Sequence, residues 1–210
     1  MKKYKLIKSD HIQLGKRKLY RIQALMNFGV VKNGERGGYV ESENNLSHND
    51  ICWVSEDALV YGNAHVSGDA HVSGDALVYG DAHVSGDARV SGDAQISGDA
   101  QVYGNARVFG DALVYVDARV CGDALVYGDA NYCISPLQIQ GTKNYVNINN
   151  GDKLQIGCFC YSISYWKKHY KEIGIENDYT ENQIKEYKLY IDLAEKWLKL
   201  YGEKNDQKTN

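Results

Sequence analysis

The chain has 210 residues, 24 basic against 27 acidic side chains and 43% hydrophobic content, enough for one compact body with appendages and too little for two large independent domains. Its basic start, MKKYKLIKSD, lacks the roughly 7 to 15 apolar residues of a signal peptide, and no apolar run approaches the ~20 residues that span a bilayer. A cytoplasmic protein without membrane contact is expected, and five cysteines (52, 121, 133, 158 and 160) with no C-x-x-C pair fit a reducing compartment better than a disulfide framework.

Residues 1–50 read as an N-terminal β cap, in which KYKLIK and KLYRIQALM form a strand pair. Residues 1–56 carry 10 basic and 6 acidic groups. Lys16, Arg17, Lys18 and Arg21 lie in the most basic stretch and could grip phosphate. Solvated strands over an acidic rod account for the same charges, so nucleic acid is not favoured. Gly37-Gly38-Tyr39-Val40 leads through a polar stretch into Ile51-Cys52-Trp53-Val54, where coiling should begin.

From Asp57 the chain repeats every six residues: DALVYG, NAHVSG, DAHVSG, DALVYG, DAHVSG, DARVSG, DAQISG, DAQVYG, NARVFG, DALVYV, DARVCG, DALVYG and a decayed DANYCI. Internal repeats outrank other signals for fold. In an extended segment Ala and Val, two apart, face one way while the third and fifth residues face the other. Gly followed by Asp or Asn supplies the corner, Gly by tolerating φ > 0 and Asx by bonding nearby backbone. Six residues are too few for a hairpin meander. The chain is therefore mainly β, a parallel β-helix over 51–134 with an Ala/Val interior. This stretch is acidic, with 11 Asp against 3 Arg over 57–134.

After Pro136, residues 135–161 keep strand alternation (LQIQG, YVNIN, KLQIG), and 162–210 form a helical extension. Two helices are predicted, over about 163–173 and 181–201, the second opened by the capping box Thr180-x-x-Gln183. Its apolar residues fall in two stripes: Ile184, Tyr187, Ile191, Ala194, Leu198 and Tyr201, and beside them Tyr190, Leu193, Trp197 and Leu200.

These hexads resemble the hexapeptide-repeat family, which implies three hexads per coil and a left-handed β-helix, although Gly here lies two residues after the inward aliphatic rather than directly after it. The flanking blocks LYRIxAL (19–25), GGYVESExNLS (37–47), CWV (52–54) and IGCxxxSIxxW (156–166) resemble hexapeptide-repeat proteins of bacterial phages and prophages. That resemblance implies a phage accessory protein and no reaction.

Stacking every third hexad gives three outward columns. The first holds Leu59/Tyr61, Leu77/Tyr79, Gln95/Ser97, Leu113/Tyr115 and Asn131/Cys133; the second holds His65, His83, Gln101 and Arg119; the third holds His71, Arg89, Arg107 and Leu125. His65 and His83, one coil apart, lack a third ligand in their column, so a solvated imidazole ladder is favoured over zinc and no metal or cofactor is expected. Cys158-x-Cys160 reads as alternating strand residues. The Asp ladders read as solvated corners, with a role in attracting a basic partner or mimicking nucleic acid left open. An acyltransferase would need a base and a lid; His48 is the least implausible base, and the unbroken repeat offers no lid.

The favoured function is a non-catalytic, phage-encoded interaction protein that binds a macromolecular partner: another phage component or host machinery such as an antiviral defence complex. A virion component and a hexapeptide acyltransferase are the alternatives. A homo-oligomer, dimer or trimer, is expected in which Leu59, Tyr61, Leu77, Tyr79, Leu113 and Tyr115 meet the second helix through Ile191, Trp197 and Leu198.

Overall fold

A computed structural model describes residues 1–149 and 151–205. Two N-terminal strands, β1 (Tyr4–Leu14) and β2 (Arg17–Ala24), pair antiparallel, and β2 pairs with β3 (Arg36–Val40). β3 then runs parallel to the rung at Leu59–Val60, so the hairpin is continuous with one face of a parallel β-solenoid. Rungs follow every six residues, each pairing with the rung eighteen residues on, as Leu59 with Leu77 and His65 with His83. Three faces result, and the solenoid makes about five turns.

The interior is as the period dictates. Every second and fourth hexad residue from Ala58 to Ala130 is fully buried, and Tyr132 closes the column at 3% exposure. Successive coils are tied by backbone bonds such as Leu59 N–H to Ala76 O (2.9 Å) and Tyr61 N–H to Val78 O (3.0 Å). At the corners the glycines adopt positive φ; a Cβ on Gly74 (φ 69°) would lie 2.8 Å from the Gly92 nitrogen one coil away, so both torsion and space call for glycine.

The solenoid starts upstream of the expected boundary at residue 51, because β3 and Leu46 already supply rungs of a first coil. Leu46 aligns with Val66, twenty residues on, whereas Val54 aligns with Val72, eighteen on. The loop between Leu46 and Trp53 therefore carries two extra residues. His48 lies in it.

An open-ended solenoid exposes unpaired peptide groups, a template for stray strand pairing. At the start, Lys3 is 2% exposed, and its ammonium donates to the carbonyls of Asn49, Asp50 and Cys52 at 3.2, 3.3 and 2.8 Å. The Tyr4 hydroxyl donates to Leu46 O at 2.8 Å. At the far end, side-chain amides stand in for the missing coil. Gln138 accepts from Cys121 N–H (2.7 Å) and donates to Arg119 O (2.8 Å), while Asn147 donates to Leu125 O (3.1 Å).

Gln138 and Asn147 belong to an antiparallel four-stranded C-terminal sheet: Gln138–Gln140, Tyr145–Ile148, Lys153–Ile156 and Phe159–Ser162. Helices α1 (Ile163–Glu176) and α2 (Glu181–Asn205) cover it. Val146, Ile148, Leu154, Ile156, Trp166, Tyr187, Ile191 and Ala194 form a second core. The Thr180–Gln183 capping box is made, with Gln183 N–H to Thr180 Oγ1 at 3.3 Å and Thr180 N–H to Gln183 Oε1 at 2.9 Å. No helix among the described residues is long and apolar enough to cross a membrane.

Candidate interaction surface

The first face carries Leu59, Tyr61, Leu77, Tyr79, Leu113 and Tyr115 in register, all half-buried, interrupted by Gln95 and Ser97. Side chains one coil apart, about 4.8 Å, can stack. Tyr61 and Tyr79 do, with centroids 5.1 Å apart and planes 3° from parallel. Beside them a depression is lined by Arg17, Glu41, Asn44, Asn63 and Asp81. Half-exposed aliphatic and aromatic groups aligned on a rigid sheet are what a docking surface presents.

On the second face His65 and His83 lie with ring centroids 6.4 Å apart. Their Nδ1 atoms contact the Asn44 and Asp81 carbonyls (2.6 and 3.0 Å), and His71 Nδ1 contacts Asp69 O at 2.9 Å. A carbonyl oxygen only accepts, so each Nδ1 is the donor in these bonds. Among the described residues no group of three His, Cys, Asp or Glu is placed to hold a metal. The third face aligns His71, Arg89 and Arg107, flanked by Asp69, Asp87 and Asp123 along an open groove. At the corners like charge is partly relieved by amides: Asn63 donates to Asp81 and Asn105 to Asp123, at 2.9 and 2.8 Å.

The basic N-terminal residues divide. Arg17 pairs with Glu41 at 2.7 Å. Arg21 donates to Gly37 O, Glu56 O, the Tyr39 hydroxyl and Asp57; burial lowers its pKa, but Tyr39, Asp57 and Asp10 together outweigh that and raise it. Both arginines tie the cap to the first coils, Arg21 largely covered and Arg17 with half of its side chain still in solvent. Lys16 and Lys18 remain exposed at the hairpin tip.

Of the three helix residues expected at an oligomer contact, one is placed out of reach. Ile191 is fully buried in the chain's own second core, so it cannot meet a partner, and Trp197 and Leu198 are half-buried beside that core. α2 does not lie along the Leu/Tyr face, because the C-terminal sheet offers its inner stripe a complete apolar floor. The leucines that α2 leaves in solvent are Leu189, Leu193 and Leu200, at 67%, 46% and 69% exposure, and Tyr201 in its last turns is exposed too. Leu189 belongs to neither stripe read from the sequence. Its spacing of four to Leu193 was the available signal.

His48 sits in the N-terminal loop, its ring stacked on Tyr4 at 4.3 Å and its Nε2 3.7 Å from Glu43. Desolvation holds it below the usual imidazole range, with Glu43 opposing. A separate cavity of about 250 Å³ lies under α1 and α2, walled by Phe159, Trp166, Tyr170, Tyr179 and Tyr187. Its polar groups are engaged: Lys143 caps the carbonyls of Asn177 and Asp178, and Asn144 bonds Tyr179 and Tyr187. All five cysteines are free thiols, Cys52 fully buried and Cys158 exposed.

A family model described as the YdcK Beta solenoid repeat matches residues 70–86, 82–98 and 100–115, all within the coils. No curated protein matches the chain. The match and the fold agree on a repeat β-solenoid.

Proposed function

We propose that the chain is a non-catalytic interaction protein that offers its Leu/Tyr face to a macromolecular partner. The observation that carries this reading is the register of Leu59, Leu77 and Leu113 with Tyr61, Tyr79 and Tyr115 on one rigid sheet, while the chain's own apolar helix packs elsewhere. A partner that fits would present aliphatic or aromatic groups at the spacing of one coil. Aromatic side chains of this kind anchor interfaces because they bury much area with few torsions to freeze.

The proposal extends to context. Resemblance of the flanking blocks to phage and prophage proteins supports a left-handed hexapeptide-type coil and a phage accessory role in the host cytoplasm. The partner would then be host machinery, such as an antiviral defence complex, or another phage component. The test is affinity capture from infected host lysate with wild type and with the double variant Leu77→Glu, Tyr79→Lys, followed by mass spectrometry. A host complex captured by wild type and lost in the variant supports the proposal. Capture unchanged by the variant removes the face from it. Presence of the chain in purified virions, or calorimetric binding of acetyl-CoA, would favour a structural or an acyltransferase role instead.

A further inference from the structure

α2 has two sides with opposite fates. Tyr187, Ile191 and Ala194 face the C-terminal sheet at 4%, 0% and 0% exposure. Opposite them runs an exposed line of Leu189, Leu193, Lys196 and Leu200, spaced four, three and four. One exposed leucine on a helix is ordinary. Three on its most solvent-facing line, at the alternating spacing of a coiled-coil seam and spread over about 16 Å, are not.

We propose that this line is the seam of a homodimer in which two copies of α2 pack antiparallel about a two-fold axis. The occupant follows from complementarity within the one helix. The two-fold sets Leu189 against the partner's Leu200 and Leu193 against the partner's Lys196, whose stem can lie on the leucine. The residues flanking the seam then also match. Asp192 on one side meets the partner's Lys199, and Tyr190 on the other meets the partner's Trp197, each contact occurring twice by symmetry. Tyr190 and Trp197 are half-buried, and Asp192 is half-exposed beside Lys188. A parallel pair in register would instead oppose Lys196 to the partner's Lys196 and leave Asp192 without a cation across the seam. The dimer uses none of the Leu/Tyr face, so it would display two copies of that face.

The test is sedimentation equilibrium on the full chain up to about 100 µM, where wild type should reach about twice the chain mass of 23.5 kDa. Leu193→Lys, which sets a second ammonium against the partner's Lys196, should weaken the dimer by about 100-fold or more while leaving the circular dichroism spectrum and melting curve in place, because the residue is outside both cores. Asp192→Lys should weaken it as well, and adding Lys199→Asp should restore it. For orientation, in a Cys158→Ser background, oxidising a mixture of the L189C and L200C chains should give a cross-linked dimer, whereas either alone leaves its thiols about 16 Å apart. A wild type that stays monomeric, a dimer indifferent to Leu193→Lys, or efficient cross-linking of L200C alone would overturn the proposal.

Discussion

Gly98 and Val116 stack one coil apart at the same corner, both in the left-handed region (φ 65° and 58°), and a Cβ on Gly98 would lie 2.9 Å from the Val116 nitrogen. Val116 occupies the position that glycine fills in the neighbouring hexads. A β-branched residue at positive φ costs about 1 to 3 kcal/mol, against roughly 0.5 to 1 kcal/mol of extra unfolded-state freedom for glycine. Val116→Gly should therefore stabilise the chain by about 1 kcal/mol, raising Tm by about 2 to 4 °C in a thermal melt. Gly98→Ala should do the reverse, by about 2 kcal/mol or more, because its new methyl meets backbone that cannot turn aside.

The inward register makes a paired prediction at neighbouring residues. Val84 is fully buried, so Val84→Asp places an unpaired charge in the Ala/Val column and should cost several kcal/mol, enough to unfold a small domain. Ser85→Asp points outward from the next position and should change stability by less than about 1 kcal/mol. Comparable losses of Tm in the two variants would sink the register.

The C-terminal end is held by a carboxamide acting as a peptide group. Gln138→Leu removes the acceptor for Cys121 N–H and the donor to Arg119 O, both satisfied now at 2.7 and 2.8 Å. Tyr145 still donates to Cys121 O. Each bared backbone group costs about 1 to 3 kcal/mol if water cannot reach it. The expected result is a loss of about 2 kcal/mol in denaturant unfolding, with earlier amide exchange in the last coil than at Val60 or Val78. Uniform protection along the rod would show that the amide is not a cap.

How far the sequence carried the structure depends on the range of the force involved. The Ala/Val column was legible because a period of six is set locally by strand alternation and corner chemistry. The rungs at β3 and Leu46 were not, because their hexad spacing is broken by the two extra residues around His48. α2 was legible as a wide apolar arc, but periodicity does not name the surface that each stripe meets; Ile191 went inward to the C-terminal sheet and Leu189 stayed out. Arg17 and Arg21 looked like free cations because their acceptors, Glu41 and Asp57, lie 24 and 36 residues away. The caps at Gln138 and Asn147 depend on contacts 17 to 22 residues apart across the end of the rod, for which no short motif exists.

The last prediction concerns acid. His48 stacks on Tyr4, faces Glu43 at 3.7 Å and lies near Lys2 and Lys3. Desolvation is the largest influence on it, and with the two lysines it outweighs Glu43 and holds the imidazole below its ordinary value near 6.5. The folded chain thus prefers neutral His48, while the unfolded chain takes up a proton as pH falls through about 6.5. Stability from this group is complete above that pH and declines below it until the folded ring also protonates. Glu43 adds a separate, lower window. Its hydrogen bond to Lys2 holds its carboxyl below the ordinary 4.5, so its contribution is present above about 4.5 and lost under it. Tm should accordingly fall between pH 7 and pH 5 in wild type. His48→Phe, which keeps a ring to stack on Tyr4 and removes the proton site, should flatten that part of the profile and leave the decline under pH 4.5. A His48→Phe profile that tracks wild type between pH 7 and pH 5 would place the acid sensitivity in another group.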